Sequence, residues 1–201
     1  MPGPRRSPKP QERQRDPERT RQKILDAAAA EFAQHGYAGA RIRAIAERAG
    51  VNQQLLSYYF DGKQGLFRAM TEQWGQRQAE ISEPGTSLSE QLRRYTLENL
   101  NNPDGVRILA WSGLQYDGED PGGEARTAML ARGVEQIAEQ IGRDNPDIDP
   151  ACLLIMLMAA SMAPTTMPQV IAGLCRADPR DPEFVDHYAE QVALIARKLE
   201  E

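Results

Sequence analysis

The chain has 201 residues, 40% of them hydrophobic, which is enough for a substantial core and for one or two domains. Its longest apolar run, residues 151–160, is too short to span a bilayer, which takes about 20 apolar residues. No nucleophile elbow, phosphate loop or His-Glu-x-x-His pattern is present, so the chain offers no catalytic signature. The net charge of −5 hides a division, with 13 Lys/Arg against 7 Asp/Glu in residues 1–70 and 11 against 22 in residues 71–201. A basic head on an acidic body is the electrostatic footprint of a protein that touches nucleic acid at one end.

Residues 1–18, rich in Pro and Arg and without apolar periodicity, read as a disordered basic arm. With no apolar stretch after the basic start they are not a secretory signal. Two readings of the arm stand, a passive solvated tail or a segment that follows DNA phosphates. An opening helix follows, with Ile24, Ala27, Ala28 and Phe32 at helical spacing.

Residues 39–69 read as two short helices around a tight turn at Ala49-Gly50-Val51. Ile42, Ile45, Ala46 and Ala49 form one apolar stripe, and Gly50 stands where a left-handed helix stop is needed. Asn52 is placed to cap the second helix, and Leu56 and Phe60 turn it back onto the first. Gln53, Gln54, Ser57 and Tyr58 are left outward, hydrogen-bonding side chains on a helix that fits a major groove.

Beyond this the chain reads as helices with no strand pattern and no repeat. They are expected at Gly65 to about Ile81, Ser87–Leu100, Asp104 to about Tyr116, Glu124–Ile141, Ala151 to about Ala163 and about Pro182 to Leu199. Pro164 and Pro168 are expected to interrupt the fifth of these. That helix, ACLLIMLMAASMA, is apolar on every side and needs cover all round.

The ordered set Ile24, Ala27, Ala28, Phe32, Gly36, Tyr37, Ile45-Ala46, Ala49-Gly50-Val51, Asn52, Tyr59-Phe60, Lys63 and Leu66 resembles the N-terminal domain of the TetR family of bacterial transcriptional regulators. The resemblance covers roughly residues 19–69, with departures. Ala40-Arg41 stand where the family has a Thr or Ser cap, so either Gly39 tolerates an uncapped start or Arg41 lies against phosphate. Ser57 replaces a common tyrosine and Gln54 a small residue, changes on the outward face that bear on which bases are read. Asp61-Gly62-Lys63-Gln64-Gly65 replaces Ser-Lys-Glu-Glu with the lysine in register.

The resemblance implies an all-α protein. An arm at 1–18 precedes a helix-turn-helix DNA-binding domain at 19–65 and a helical effector-binding and dimerisation domain at 66–201. It implies a cytoplasmic homodimer, paired through the last two long helices with Tyr188, Val192 and Ile195 in the interface. Two recognition helices would then enter successive major grooves of a near-palindromic operator, about 34 Å apart. Gln53 and Gln54 are the expected base readers, because a carboxamide pairs in bidentate fashion with adenine; Asn52 and Ser57 add shorter contacts. Tyr58, Tyr59, Lys63, Arg41 and Arg43 are the expected phosphate contacts. A small apolar or aromatic effector is expected among the middle helices, against Trp74, Tyr95, Trp111, Tyr116, Met129, Met162 and Met167. Its binding would release the DNA of a repressor.

Cys152 and Cys175 have no cysteine or histidine at metal-ligand spacing and read as small hydrophobic residues, with a redox switch as the rival. No cofactor, metal, membrane contact or enzymatic activity is expected. The rival function is a helical dimerisation or adaptor protein whose helix-turn-helix contacts protein, and repressor and activator are not separable from sequence.

Overall fold

Helix formation begins earlier than the arm reading allows. The computed structural model describes residues 10–83, 85–116, 118, 123–142 and 147–200, apart from the side chains of residues 10–16, 124 and 125. Helix α1 runs Pro10–Gly39, so residues 10–18 are helical, while residues 1–9 lie outside the described residues. Gln, Glu and Arg crowd this stretch and are good helix formers, a propensity that the nearby prolines obscured. The chain forms two compact units, residues 1–70 and 71–201.

In the first unit, α1 is followed by α2 (Ile42–Ala49), α3 (Gln53–Phe60) and the opening turns of α4 (Gly62–Ile81). Gly36, at φ 67°, bends the end of α1. The core joins Ile24, Ala28 and Phe32 to Ile45, Leu56, Leu66, Phe67 and Met70, all at most 2% exposed. The ring of Phe67 meets Phe32 edge-on at 5.2 Å and Tyr37 at 5.0 Å. Leu66, Phe67 and Met70 are buried with this core, in keeping with a first unit that ends at Met70. Asp61 and Gly62, at φ 55° and 82°, hand α3 directly to α4. At Gly65 the backbone closes onto α3, and a Cβ would stand 1.7 Å from the Phe60 carbonyl oxygen.

The second unit holds the rest of α4, then α5 (Leu88–Asn101), α6 (Asp104–Leu114), α7 (Gly123–Ile141), α8 (Pro150–Thr166), α9 (Pro168–Cys175) and α10 (Pro182–Glu200). Ser87 and Asp149 cap α5 and α8 by accepting the N–H groups of Glu90 and Cys152. The core is built from Leu88, Leu92, Ile137, Leu153, Leu157, Val192 and Ala196, with α10 lying along α5 and both α5 and α7 packed on α8.

Pro164 does not end α8 as expected. The helix passes through it to Thr166, although proline cannot donate to the carbonyl of Ala160 four residues back. The Tyr188 hydroxyl on α10 donates to that carbonyl instead, at 2.8 Å. Tyr188 and Val192 are therefore used inside the chain, and the outward side of α10 carries Leu194 and Ile195, 39% and 60% exposed. The outward side of α8 carries Ile155 and Met156, 67% and 66% exposed.

Both cysteines are exposed and not part of the core. A hydrogen bond and the charge of Asp149 push the Cys152 thiol up, away from the thiolate a redox switch needs. Among the described residues no single helix is long and apolar enough to cross a membrane, and the α8–α9 pair is bent by 86°.

Candidate nucleic-acid interface

Helices α2 and α3 form the expected helix-turn-helix. Gly50 ends α2 at φ 69°, its N–H turned back to the carbonyls of Ala46 and Glu47. Asn52 then starts α3, its Oδ1 accepting the Leu55 N–H at 2.7 Å. Leu56 and Phe60 are buried, whereas Gln53, Gln54, Ser57 and Tyr58 are exposed, Tyr58 at 83%. The four outward side chains thus form one exposed surface of α3 beside its core contacts. Tyr59 is half-buried and meets the Tyr58 ring edge-on at 5.6 Å.

The basic residues separate into two groups. Arg41 and Arg43 are exposed, and the Arg43 guanidinium hydrogen-bonds Glu47 at 2.8 Å, which holds its pKa above the usual arginine value. Lys63, an expected phosphate contact, is half-buried. Its Nζ donates to the Ala38 carbonyl at 3.1 Å and sits 4.9 Å over the Tyr37 ring. Burial lowers its pKa, opposed by the nearby Glu31 carboxylate. The start of α2 resolves the missing Ser/Thr cap in a third way. Glu31 of α1, 3% exposed, accepts the Arg41 N–H on Oε1 at 3.2 Å. Sequence reading passed over Glu31, although an acid beside Phe32 on the apolar stripe of α1 was the available signal.

In the second unit the residues proposed for an effector divide as well. Trp74 packs on α6, its ring 3.5 Å from where a Cβ on Gly105 would stand. The Tyr95 hydroxyl donates to the Gln78 carbonyl at 3.2 Å and pairs with Ser82, while burial raises its pKa. Trp111 and Met162 are half-buried. Tyr116, Met129 and Met167 are exposed, at 67%, 37% and 44%, and do not line an interior. An open depression of about 620 Å³ lies at the end of α9, between Pro168, Arg176 and Arg180, and includes none of the seven.

Comparison with known proteins agrees with this architecture. The profile of bacterial regulatory proteins of the tetR family matches residues 24–70, and that of the tetracyclin repressor-like C-terminal domain matches residues 88–198. The HTH-type transcriptional repressor SCO4008 of Streptomyces coelicolor is 34% identical over 161 residues, covering 78% of this chain and 83% of that repressor. Among solved structures, the transcriptional regulator SCO4942 of Streptomyces coelicolor superposes with a TM-score of 0.69 at 23% identity, over 88% of this chain and 97% of its own. NalD, the secondary repressor of the MexAB-OprM multidrug efflux pump in Pseudomonas aeruginosa, does so with a TM-score of 0.60 at 23% identity, over 88% and 95%. These two share the fold; the repressor at 34% identity and the two profiles carry the assignment, and none of them favours an adaptor or an enzyme. The chain belongs to the TetR family and is a helix-turn-helix, DNA-binding transcription regulator.

Proposed function

We propose that this regulator is a cytoplasmic homodimeric repressor that reads a near-palindromic operator with α3 and leaves it when an apolar or aromatic effector binds the second unit. The observation that carries the reading is the outward group Gln53, Gln54 and Ser57 on a short helix capped by Asn52 and anchored by Leu56 and Phe60. Such side chains on so firmly held a helix suit base edges in the major groove. Arg41, Arg43, Tyr58 and Tyr59 serve as phosphate contacts; Arg43 exchanges Glu47 for phosphate as it binds. Lys63 contributes by holding the end of α1, with any phosphate contact secondary. Dimerisation through α8 and α10 is supported by their outward residues Ile155, Met156, Leu194 and Ile195, which a second copy of the same face would cover.

The effector is best accommodated near Trp74, Tyr95, Trp111 and Met162, the four half-buried members of the set. It would act by preferring the conformation in which α4 spreads the two reading heads. Selection of bound sequences from random duplex DNA at near-physiological salt tests the reading. One near-palindrome with half-sites about 34 Å apart is the expected outcome. Enrichment of an asymmetric single site would overturn the dimeric reader, and no enrichment would overturn the assignment of α3.

A further inference from the structure

Helix α2 has only eight residues, well below the roughly 12–15 at which an isolated helix becomes even marginally stable. Its direction therefore depends on what holds its two ends. Gly50 and the turn into α3 hold the C-terminal end. At the N-terminal end Arg41 is extended, at φ −119° and ψ 125°, and its side chain makes no cap. A capping box would satisfy the Arg41 N–H from a glutamate or glutamine three residues later, but position 44 is alanine. Glu31 supplies the acceptor from α1, ten residues earlier in the chain.

Among the described residues no other charged side chain is buried. Burying a carboxylate is costly unless it is both hydrogen-bonded and paired. Here Oε1 takes the Arg41 N–H, while Oε2 lies 4.0 Å from Arg48 at the far end of α2 and 4.0 Å from His35. The Lys63 ammonium is attracted to the same carboxylate. One buried group thus addresses both ends of α2 from the stable helix behind it. Because Ile45 and Ala46 of α2 share the buried core with Leu56 of α3, a change in the entry of α2 carries α3 with it.

We propose that Glu31 is a positioning residue for operator recognition, a cap lent by α1 that sets the angle at which α2 and α3 are presented to DNA. The proposal rests on α3 being the base-reading helix. The test uses the full chain and the operator recovered by selection, with affinity for operator and for random duplex measured well below each variant's melting temperature. Glu31→Ala should weaken operator binding about five- to tenfold, the equivalent of one lost cap, with little change on random DNA. Glu31→Gln, whose amide oxygen still accepts the Arg41 N–H, should recover most of that loss. Equal losses on both DNAs, or a Gln variant no better than Ala, would overturn the role.

If Glu31→Ala does not fold, amide exchange at Arg41 decides the matter in the wild-type protein and in Glu31→Gln. Slow exchange in both supports the cap, and exchange at the rate of an unprotected amide in the wild type removes it. Gln53→Ala separates the two levels of the argument. Were discrimination unchanged at every operator position by Gln53→Ala, the assignment of α3 fails; were it reduced while Glu31→Ala stays silent, only the positioning role fails.

Discussion

Replacing Tyr188 with phenylalanine tests how α8 survives Pro164. The substitution removes one oxygen and leaves the ring stacked on Phe184, whose centroid is 5.7 Å away. The Ala160 carbonyl then has neither the hydroxyl at 2.8 Å nor an N–H from position 164. An orphaned buried acceptor costs about 1–3 kcal/mol, and because both residues are half-buried the lower part of that range, about 1–2, applies. For a domain of this size that is a fall of about 3–6 °C in melting temperature. Pro164→Ala supplies the missing N–H, so Tyr188→Phe in that background should cost much less. The double-mutant cycle read by urea unfolding should show a coupling of about 1 kcal/mol, while the cost of deleting the buried proline ring cancels. Additivity within about 0.5 kcal/mol would refute the claim that the tyrosine stands in for the missing N–H.

Four further outcomes follow from the same geometry. Gln53→Ala should erode discrimination at one operator position by about 1–3 kcal/mol in competition binding, with affinity for random DNA nearly unchanged. Gly65→Ala drives a Cβ into the Phe60 carbonyl and should lower stability by at least about 1–3 kcal/mol; an unchanged melting temperature would show that the α3–α4 joint is looser than described. Burial raises the pKa values of Tyr95 and Tyr188 above the usual phenol value of 10.0. Their contribution to stability is then complete below about pH 10 and shrinks above it as the unfolded chain loses its protons first, and Tyr188→Phe should flatten that decline in a melting-temperature series. Trp74 and Trp111 are the chain's two tryptophans, so effector binding near them should change intrinsic fluorescence, and Trp74→Phe should remove a large part of the response.

What was legible in the sequence was local. The turn at Gly50, the cap at Asn52 and the inward placement of Leu56 and Phe60 depend on residues within four positions of one another, and period and cap chemistry sufficed. The same holds for the starts of α5 and α8, expected at Ser87 and Ala151 and found at Leu88 and Pro150. What was not legible depends on partners far apart in the chain. Lys63 finds the Ala38 carbonyl 25 residues back, and Tyr188 finds Ala160 28 residues back. Neither spacing carries a pattern, so the lysine's link to α1 went unseen and proline read as a helix stop. The effector set divides for a related reason. Aromatic and methionine residues mark apolar surface without saying which side of a helix faces inward, and Tyr116, Met129 and Met167 face out.

The basic head shows how far charge counting can stand for function. Its net of +6 over residues 1–70 was the first pointer to DNA, yet several of those cations already have partners inside the unit. Arg21 lies 5.3 Å over the Phe60 ring, Lys63 lies over Tyr37, and Arg48 faces Glu31. Each links one helix of the head to another, and a cation on a ring face or beside a buried acid contributes packing as well as charge. Part of the charge in the count is therefore already engaged within the unit, while Arg41 and Arg43, beside the start of α2, are exposed. In the proposed function the polar, uncharged side chains of α3 address the bases and exposed arginines address phosphate, while Arg21, Lys63 and Arg48 tie the helices of the head together.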